Sequence, residues 1–270
     1  NRHTPRDVAH RLEFGAGKYS AYYHVHGTNM AYFAYGHEGD QLIHVDAATG
    51  AQTNGWTWGC SHSMSELLRF SPAAGITLPI CATDCYPGTV GSNFATDSIG
   101  GIYVNHNEQK VRDFDAGCNG SVATELGSAA PAAAGWKLVF NGHQNAAVKG
   151  QSSYNKATMN QDIGFVGIAN NKTVGSIVWL TNTTGTSEAN SSIARWQPAG
   201  DATEQYVVGW TATSGGGTYY LSRVNAAGAF LEGPVTINNA KWGRRDDPFR
   251  VHLNGDVVWA WFDNSGSTTL

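Results

Sequence analysis

The sequence predicts an all-β protein: a β-propeller of five or six four-stranded blades, with a large β-sandwich as the alternative architecture. Charged residues make up only 14% of the chain, and glycine occurs 33 times in 270 residues. This composition suits short strands and tight turns better than helices, which carry more Glu, Lys, Arg and Leu. Two further observations favour this fold class: strand-like runs recur along the chain, and one turn sequence occurs twice.

Strand-like runs alternate with short clusters of turn residues. Near the N-terminus, segments 19–26, 30–35 and 41–45 are rich in aromatic and β-branched residues and are separated by Gly, Thr, Asn and Asp. Their order predicts an antiparallel meander. Further strands are predicted at 67–70, 75–78, 101–104, 136–140, 163–168, 176–180, 204–210, 218–224 and 256–262, the last after an Asn254-Gly255 hairpin turn.

Helix-like composition is confined to the stretch between residues 122 and 134. Within it, Pro131 and the flanking Gly127 and Gly135 indicate that 128–134 is a loop. No change of composition marks a linker, so we expect residues 1–270 to form a single domain.

One turn sequence is used twice: Val-Asp-Ala-Ala-Thr-Gly-Ala at 45–51 and Val-Asn-Ala-Ala-Gly-Ala at 224–229. The separation is about four periods of the roughly 40 to 50 residues typical of propeller blades. A propeller ring is commonly closed by pairing strands from both ends of the chain. We therefore expect residues from the first twenty to pair with the C-terminal strands.

Charge and hydropathy exclude two classes of partner. The net charge is −4 and the isoelectric point is near 6.2, whereas a surface that follows phosphates needs clustered Lys and Arg. No run approaches the roughly 18 apolar residues of a membrane-spanning helix. We expect neither a nucleic-acid partner nor a membrane span.

The four cysteines favour an oxidising compartment. None of them forms the Cys-x-x-Cys pattern of a zinc ribbon or a redox motif. Two disulfides in a secreted, periplasmic or extracellular protein are the first interpretation, and free buried thiols or metal ligation are the alternatives. The residues concerned are Cys60, Cys81, Cys85 and Cys118.

Candidate site residues follow from propeller geometry, because the first strand of each blade begins near the central channel. Polar residues just ahead of those strands would meet at the mouth of the channel although they are far apart in sequence. The ligand-binding candidates of this kind are Asn119, His143, Arg244, Asp246 and Asp247.

Three residues are candidates for catalysis: His62, Tyr86 and Arg245. His62 would act as an acid or base, Tyr86 would carry a proton as in a polysaccharide lyase, and Arg245 would neutralise an acidic sugar or a carboxylate. The structural alternatives are a backbone-bonded histidine, a tyrosine that caps a blade and an ion pair between blades.

A metal site is the prediction for His24 and His26, which stand two apart on a strand and so share a face. Paired imidazoles can ligate Zn or Cu, with His37, His44 or Asp84 completing the set. The alternative is a pair of exposed polar residues. No cofactor is required by the sequence, and a divalent ion (Ca, Zn or Cu) is the one it allows.

Aromatic residues complete the functional interpretation. Trp58 and Trp242 lie near turns and are predicted to be exposed, where their rings could stack on sugar faces. We expect a secreted propeller that recognises a polar ligand, in the first place a glycan, at the mouth of its channel. The alternatives are a polysaccharide lyase or hydrolase on the same scaffold, and a structural or assembly module that self-associates.

Overall fold

The described part of the chain contains only β-structure. The computed structural model describes residues 11–26, 38–59, 63–87, 98–104, 109–112, 125–142, 144, 160–196, 198, 201–212, 217–238, 241–242, 248–252 and 254–260. Within these ranges all strand pairs are antiparallel, and no helix long and apolar enough to cross a membrane is found. The all-β prediction is confirmed.

The strands form four four-stranded sheets and one two-stranded sheet. The first sheet contains β1 (Arg11–Gly15), β2 (Lys18–His26), β3 (Glu38–Asp46) and β4 (Gln52–Gly59). The second contains β5 (Ser63–Ser71), β6 (Ile76–Pro87), β7 (Ser98–Val104) and β8 (Gln109–Arg112). The third contains β9 (Glu125–Ala132), β10 (Gly135–Gly142), β11 (Asp162–Ile168) and β12 (Val178–Trp179). The fourth contains β13 (Glu188–Trp196), β14 (Gln205–Ala212), β15 (Thr218–Asn225) and β16 (Phe230–Ile237), and the fifth contains β17 (Arg250–Val251) and β18 (Val257–Val258).

Each four-stranded sheet is a meander in which every strand pairs with the next one in sequence. The first strands of consecutive sheets contact each other, from β1 to β5, β9, β13 and β17. Because the strands of each sheet alternate in direction, its first connection lies at one end of the strands and its second connection lies at the opposite end. We call the end with the β1–β2, β5–β6, β9–β10 and β13–β14 connections the turn end, and the opposite end the loop end.

The twice-used turn joins equivalent strands of two sheets. Residues 46–51 connect β3 to β4 in the first sheet, and residues 225–229 connect β15 to β16 in the fourth. In each turn a side-chain oxygen accepts backbone N–H groups: Asp46 from Ala48 (3.1 Å) and Asn225 from Ala227 (2.9 Å). The equivalence of the turns is confirmed. The predicted spacing is wrong, because three sheet repeats separate them rather than four.

Strand β9 contradicts the prediction of a loop at 128–134. Pro131 lies opposite Trp136 in the β9–β10 pair. A proline is tolerated there because β9 is an edge strand of its sheet, and its missing N–H faces no ladder partner. The small residues of β9 allow close packing, since Ala129 and Ala130 are both buried against neighbouring sheets.

The core lies between sheets, and β10 shows how the sequence builds it. Trp136, Leu138 and Phe140 belong to the cluster shared with the second sheet, whereas Val139 belongs to the cluster shared with the fourth. Side chains of a strand alternate between faces, so both faces of the third sheet are covered. This explains why the strand is apolar throughout rather than alternating.

None of the sheets in the described ranges closes into a barrel or a propeller. Residues 1–10 and 261–270, which the predicted ring closure involves, lie outside the described residues. So does the strand predicted at 30–35. The propeller therefore stays a prediction at this point.

Candidate functional site

Most of the predicted site residues lie outside what the structure describes. For some of them the backbone is described within a strand but the side chain is not: His24 and His26 in β2, Trp58 in β4, and Asp84, Cys85 and Tyr86 in β6. Their predicted roles are untested. Those entirely outside the described residues are Cys60, His62, Cys118, Asn119, His143, Arg244, Arg245, Asp246 and Asp247.

The predicted metal ligands are partly placed by the backbone. In the β2–β3 register, His24 lies opposite Asp40 and His26 lies opposite Glu38, so the two histidines are on one face of the strand. Among the described side chains, no group of three or more His, Cys, Asp or Glu residues could hold a metal ion. Metal binding at His24, His26 and Asp84 stays a prediction.

Cys81 is disulfide-bonded and completely buried in β6. Its neighbours in the core are Tyr22, Leu42 and Leu68 from the first and second sheets. The disulfide prediction is confirmed for this cysteine, and the alternative of a free buried thiol is excluded for it.

The expectation that Trp242 is exposed is wrong. Its side chain is 4% exposed and lies edge-on to Tyr219, Phe249 and Trp259, with ring centroids 4.7, 5.3 and 5.8 Å away. The indole Nε1 donates to the carbonyl of Asn190 at 3.1 Å. Contacts with three other aromatic rings stabilise the buried position of Trp242, and the indole N–H still finds an acceptor there.

A cluster of acidic and amide side chains occupies the loop end of the third and fourth sheets. We call it the carboxylate cluster. Each member lies at or beside a strand terminus at this end, so the meander topology brings together residues that are 16 to 63 positions apart in sequence. Its members are Glu125 at the start of β9, Asn141 near the end of β10, Gln161 and Asp162 at the start of β11, and Glu188 at the start of β13.

Among the described residues, the amide side chains of Asn141 and Gln161 have hydrogen-bond partners for only some of their polar atoms. Nδ2 of Asn141 donates to Oε2 of Glu125 at 3.1 Å and to Oε1 of Gln161 at 3.2 Å. Oδ1 of Asn141 and Nε2 of Gln161 are buried without a hydrogen-bond partner among the described residues. One group lacks a donor and the other lacks an acceptor, and a hydroxyl group can supply both.

Glu188 is the most perturbed acid of the cluster. Its side chain is 3% exposed, and burial raises the pKa of Glu188 to about 7, with a further contribution from the charge of Asp162. Hydrogen bonds from Thr181 and Thr183 oppose this rise without cancelling it. Glu188 is therefore half-protonated near neutral pH, which is the condition for an acid that gives and takes protons.

Asp162 is held by the segment that leads from β12 to β13. Its Oδ1 accepts the backbone N–H of Thr183 at 2.8 Å, and the Thr183 hydroxyl donates to the carbonyl of Thr186 at 2.8 Å. Two half-exposed amides bind the same segment: Nε2 of Gln144 donates to Thr181 O at 2.6 Å, and Nδ2 of Asn160 donates to Thr183 O at 2.5 Å. Carboxylate, amides and threonines together form a polar surface at the loop end.

The backbone beside Glu188 is strained. Asn190 has φ of 53°, and a bulge interrupts the β13–β14 register between Ala189 and Ser192. The Asn190 side chain donates to the Thr211 hydroxyl at 3.1 Å, which ties the bulge to β14. Bulges of this kind re-aim side chains and are frequent beside functional sites.

A second buried acid group lies at the loop end of the first and second sheets. The Tyr22 hydroxyl donates to Oδ2 of Asp40 at 2.6 Å, and both residues are fully buried. Burial, followed by the charges of Asp40 and Glu66, raises the pKa of Tyr22 well above its ordinary value. Buried acids are therefore a property of the loop end in more than one pair of sheets.

A buried arginine links the first strands of several sheets. Arg69 of β5 forms an ion pair with Glu13 of β1 (2.7 Å) and donates to the carbonyl of Ala129 in β9 (2.6 Å). Burial lowers the pKa of Arg69, and the charge of Arg250 on β17 lowers it further. Charges from the first, second and fifth sheets therefore act on one another.

Sequence reasoning missed the carboxylate cluster. Glu188 and Glu125 each begin a strand that the hydrophobic pattern did not predict, since β13 is rich in Ser and Ala and β9 is rich in Ala. The sequence did contain a usable signal. The polar pair Gln161-Asp162 comes directly before the strand predicted at 163–168, and polar residues in such a position are expected at the mouth of a propeller channel. The burial that perturbs Glu188 has no signal in the sequence.

Comparison with known proteins identifies no relative: no family model, no curated protein and no solved structure matches this chain.

Proposed function

We propose that the chain is a β-propeller that binds a glycan at the loop-end mouth of its channel. The row of contacting first strands supports the ring, because the innermost strands of propeller blades meet in this way. The effect of Arg250 on the pKa of Arg69 also supports the ring. Arg250 belongs to the fifth sheet and Arg69 to the second, and an open straight stack of sheets would keep the two charges apart.

Exposed apolar residues at both ends of the row favour ring closure. Leu12 and Phe14 of β1 are 75% and 57% exposed, and Val251 and Val258 of the fifth sheet are 49% and 45% exposed. Exposed apolar faces of this kind call for a partner surface. In our proposal the fifth sheet covers the first.

The observation that carries the proposed ligand class is the pair Asn141 and Gln161, whose Oδ1 and Nε2 atoms have no hydrogen-bond partner among the described residues. Its free acceptor and free donor match a hydroxyl group, the group that sugars present in the greatest number. Around it the rim consists of the half-exposed Gln144, Asn160 and Thr181, which are side chains suited to further hydroxyls.

Half-exposed aromatic rings at the same end provide a stacking surface. Trp179 pairs with Gly164 near the start of β11, and Tyr220 lies near the start of β15, where its ring stacks on Trp210 at 5.8 Å. Sugar rings bind aromatic faces through their C–H groups while polar side chains bond the hydroxyls. An exported protein also fits the disulfide at Cys81.

The test is a titration of a panel of neutral and acidic oligosaccharides, followed by ligand-observed NMR. We expect at least one neutral oligosaccharide to bind, and the double variant Gln144→Ala/Asn160→Ala to weaken its binding by about tenfold or more. Gln52→Ala, an exposed amide at the turn end, is the matched control and should bind like the wild type. The absence of any oligosaccharide signal, or equal binding by the double variant, would refute the proposal.

Glycoside hydrolysis is a second candidate function, favoured by the pKa of Glu188 near 7. A protonated Glu188 would donate its proton to the leaving oxygen of the sugar bond, and the neighbouring Asp162 would serve as the second carboxylate. Glu188→Gln is the discriminating variant. If the protein is a hydrolase, this change lowers turnover by orders of magnitude and leaves sugar binding intact, whereas a binding protein shows no turnover in either form.

A further inference from the structure

A pocket of about 310 Å³ opens at the turn end, between the first and second sheets. It lies at the opposite end of the strands from the carboxylate cluster and shares no residue with it. Its volume is at the lower limit of the roughly 300 to 1,000 Å³ usual for small-molecule sites. The residues that line it include Lys18, Ser20, His44, Phe70, Thr77 and Lys172.

The charged side chains known to line this pocket are two lysines. Lys18 comes from the first sheet and Lys172 from the third, and neither forms an ion pair with any described residue. No carboxylate is among the described residues that line the pocket. The nearest acid along the strand pair, Asp46 opposite Lys18, is already engaged by the N–H groups of its own turn.

A chain of polar side chains forms one wall. Nδ1 of His44 is 2.7 Å from the Ser20 hydroxyl, which is 3.3 Å from the Thr77 hydroxyl. Ser20 is only 1% exposed, so this hydrogen bond fixes the orientation of the imidazole. Burial and the charge of Lys18 both lower the pKa of His44. A negatively charged ligand would offset the effect of Lys18 and favour the protonated imidazole.

Lys172 occupies a backbone position where glycine is the usual residue. Three turns share one hydrogen-bond pattern, at 169–173, 225–229 and 252–256. The residue in the left-handed conformation is Gly228 in one, Gly255 in another and Lys172 in the third, with φ of 83°, 89° and 69°. A lysine there is strained, and this lysine is among the residues that line the pocket.

We propose that this pocket binds a small organic anion through an oxyanion group: a phosphate, a sulfate or a carboxylate. Lys18 and Lys172 supply the charge, and the protonated imidazole of His44 supplies an N–H. The half-buried ring of Phe70 provides an apolar wall for the carbon skeleton of the ligand. Two lysines from different sheets that line one pocket supply the positive charge that such a group requires.

The test follows the ring resonances of His44 by NMR across pH while inorganic phosphate, sulfate or glucuronate is added to the full chain. We expect at least one of the three anions to saturate and to raise the pKa of His44 by a measurable amount. The order of the three affinities identifies the oxyanion. A His44 titration that is the same with and without every anion at millimolar concentration would overturn the proposal.

The decisive variant is Lys172→Gly. Because glycine relieves the left-handed strain, this variant should keep or raise its melting temperature while its anion affinity falls by about tenfold. Lys18→Gln should lose affinity similarly, and Lys241→Gln, an exposed lysine outside the pocket, should bind like the wild type. Equal anion binding by Lys172→Gly and the wild type would assign the signal to non-specific attraction and refute the site.

Discussion

The two ends of the sheets use acidic side chains in opposite ways. At the turn end, Asp46 and Asp201 accept N–H and hydroxyl groups of their own turns, through Thr49 and Thr203, and these bonds lower the pKa of each carboxyl. At the loop end, Glu188 is enclosed between sheets and its pKa is raised. The same chemical group thus stabilises a turn where N–H donors surround it, and holds its proton more tightly where burial outweighs its hydrogen bonds.

This difference has a cause in the packing of the first strands. At the loop end, β9 and β13 approach so closely that Gly127 lies against Ser191, whereas an added Cβ at Gly17, Gly50 or Gly75, in three turns at the opposite end, would meet nothing within 4 Å. Close approach excludes water from Glu188. The contrast between the two ends can therefore be tested by substitutions at Gly127 in the contact between β9 and β13, at the buried acid Glu188, and at Asn225 in a turn.

The largest effect is expected from Gly127→Ala. An added Cβ would lie 2.1 Å from the Ser191 hydroxyl oxygen and 2.6 Å from the carbonyl oxygens of Ser191 and Val139. We expect the free energy of unfolding to fall by about 3 kcal/mol in urea denaturation, since backbone cannot move aside cheaply.

Gly233→Ala is the matched control for this contact. It lies in the exposed strand β16 with nothing within 4 Å of the added atom. The control should unfold within about 0.5 kcal/mol of the wild type. A loss in Gly127→Ala no greater than that in the control would mean that β9 and β13 are not in close contact.

The second effect is expected from Glu188→Gln and depends on pH. The pKa of Glu188 is about 7 in the folded state and 4.5 in the unfolded reference, so the folded state binds the proton more tightly. Wild-type stability should therefore be complete below pH 4.5 and should fall as pH rises to 7. The variant, which cannot ionise, should exceed the wild type by about 2 kcal/mol at pH 8 and match it at pH 4.

Glu232→Gln is the control for the effect of pH. Glu232 is 61% exposed and faces Arg223 at 3.3 Å, so its removal should change stability by no more than about 0.5 kcal/mol at either pH. Chemical denaturation at the two pH values measures both variants. A constant offset between Glu188→Gln and the wild type across pH would show that Glu188 is not buried as described.

The smallest effect is expected at the turn end, from Asn225→Ala. Its Oδ1 accepts the N–H groups of Ala227 and Ala229, both at 2.9 Å, and their loss should cost about 1 kcal/mol. This cost should not change between pH 4 and pH 8, because no charge is involved. Asn182→Ala, an exposed asparagine outside the turns, should cost nothing measurable in the same thermal melts.

The predictions that succeeded rest on short-range patterns. The strands predicted at 136–140 and 163–168 lie within β10 and β11, because runs rich in β-branched and aromatic residues indicate a strand without information from distant residues. The repeated turn was found for the same reason: the Asp or Asn that accepts the N–H groups is only two residues from the first donor.

The predictions that failed concern segments whose character depends on neighbours. The alanines around Pro131 suggested a loop, yet they form an edge strand packed between two sheets. Trp242 was expected on the surface from its place near a turn, yet aromatic rings distant in sequence enclose it. Neither environment is visible in a local window of sequence.

By itself, the sequence determined the all-β class, the positions of most strands and the chemistry of the tight turns, since these depend on alternation and on bonds between near neighbours. The tertiary structure alone decided which polar groups became unusual. Burial of Glu188 requires β11 and β13 to meet, and the lysine-lined pocket requires three sheets to contribute. Desolvation is a property of packing, so residues of the same type have different chemistry in different places.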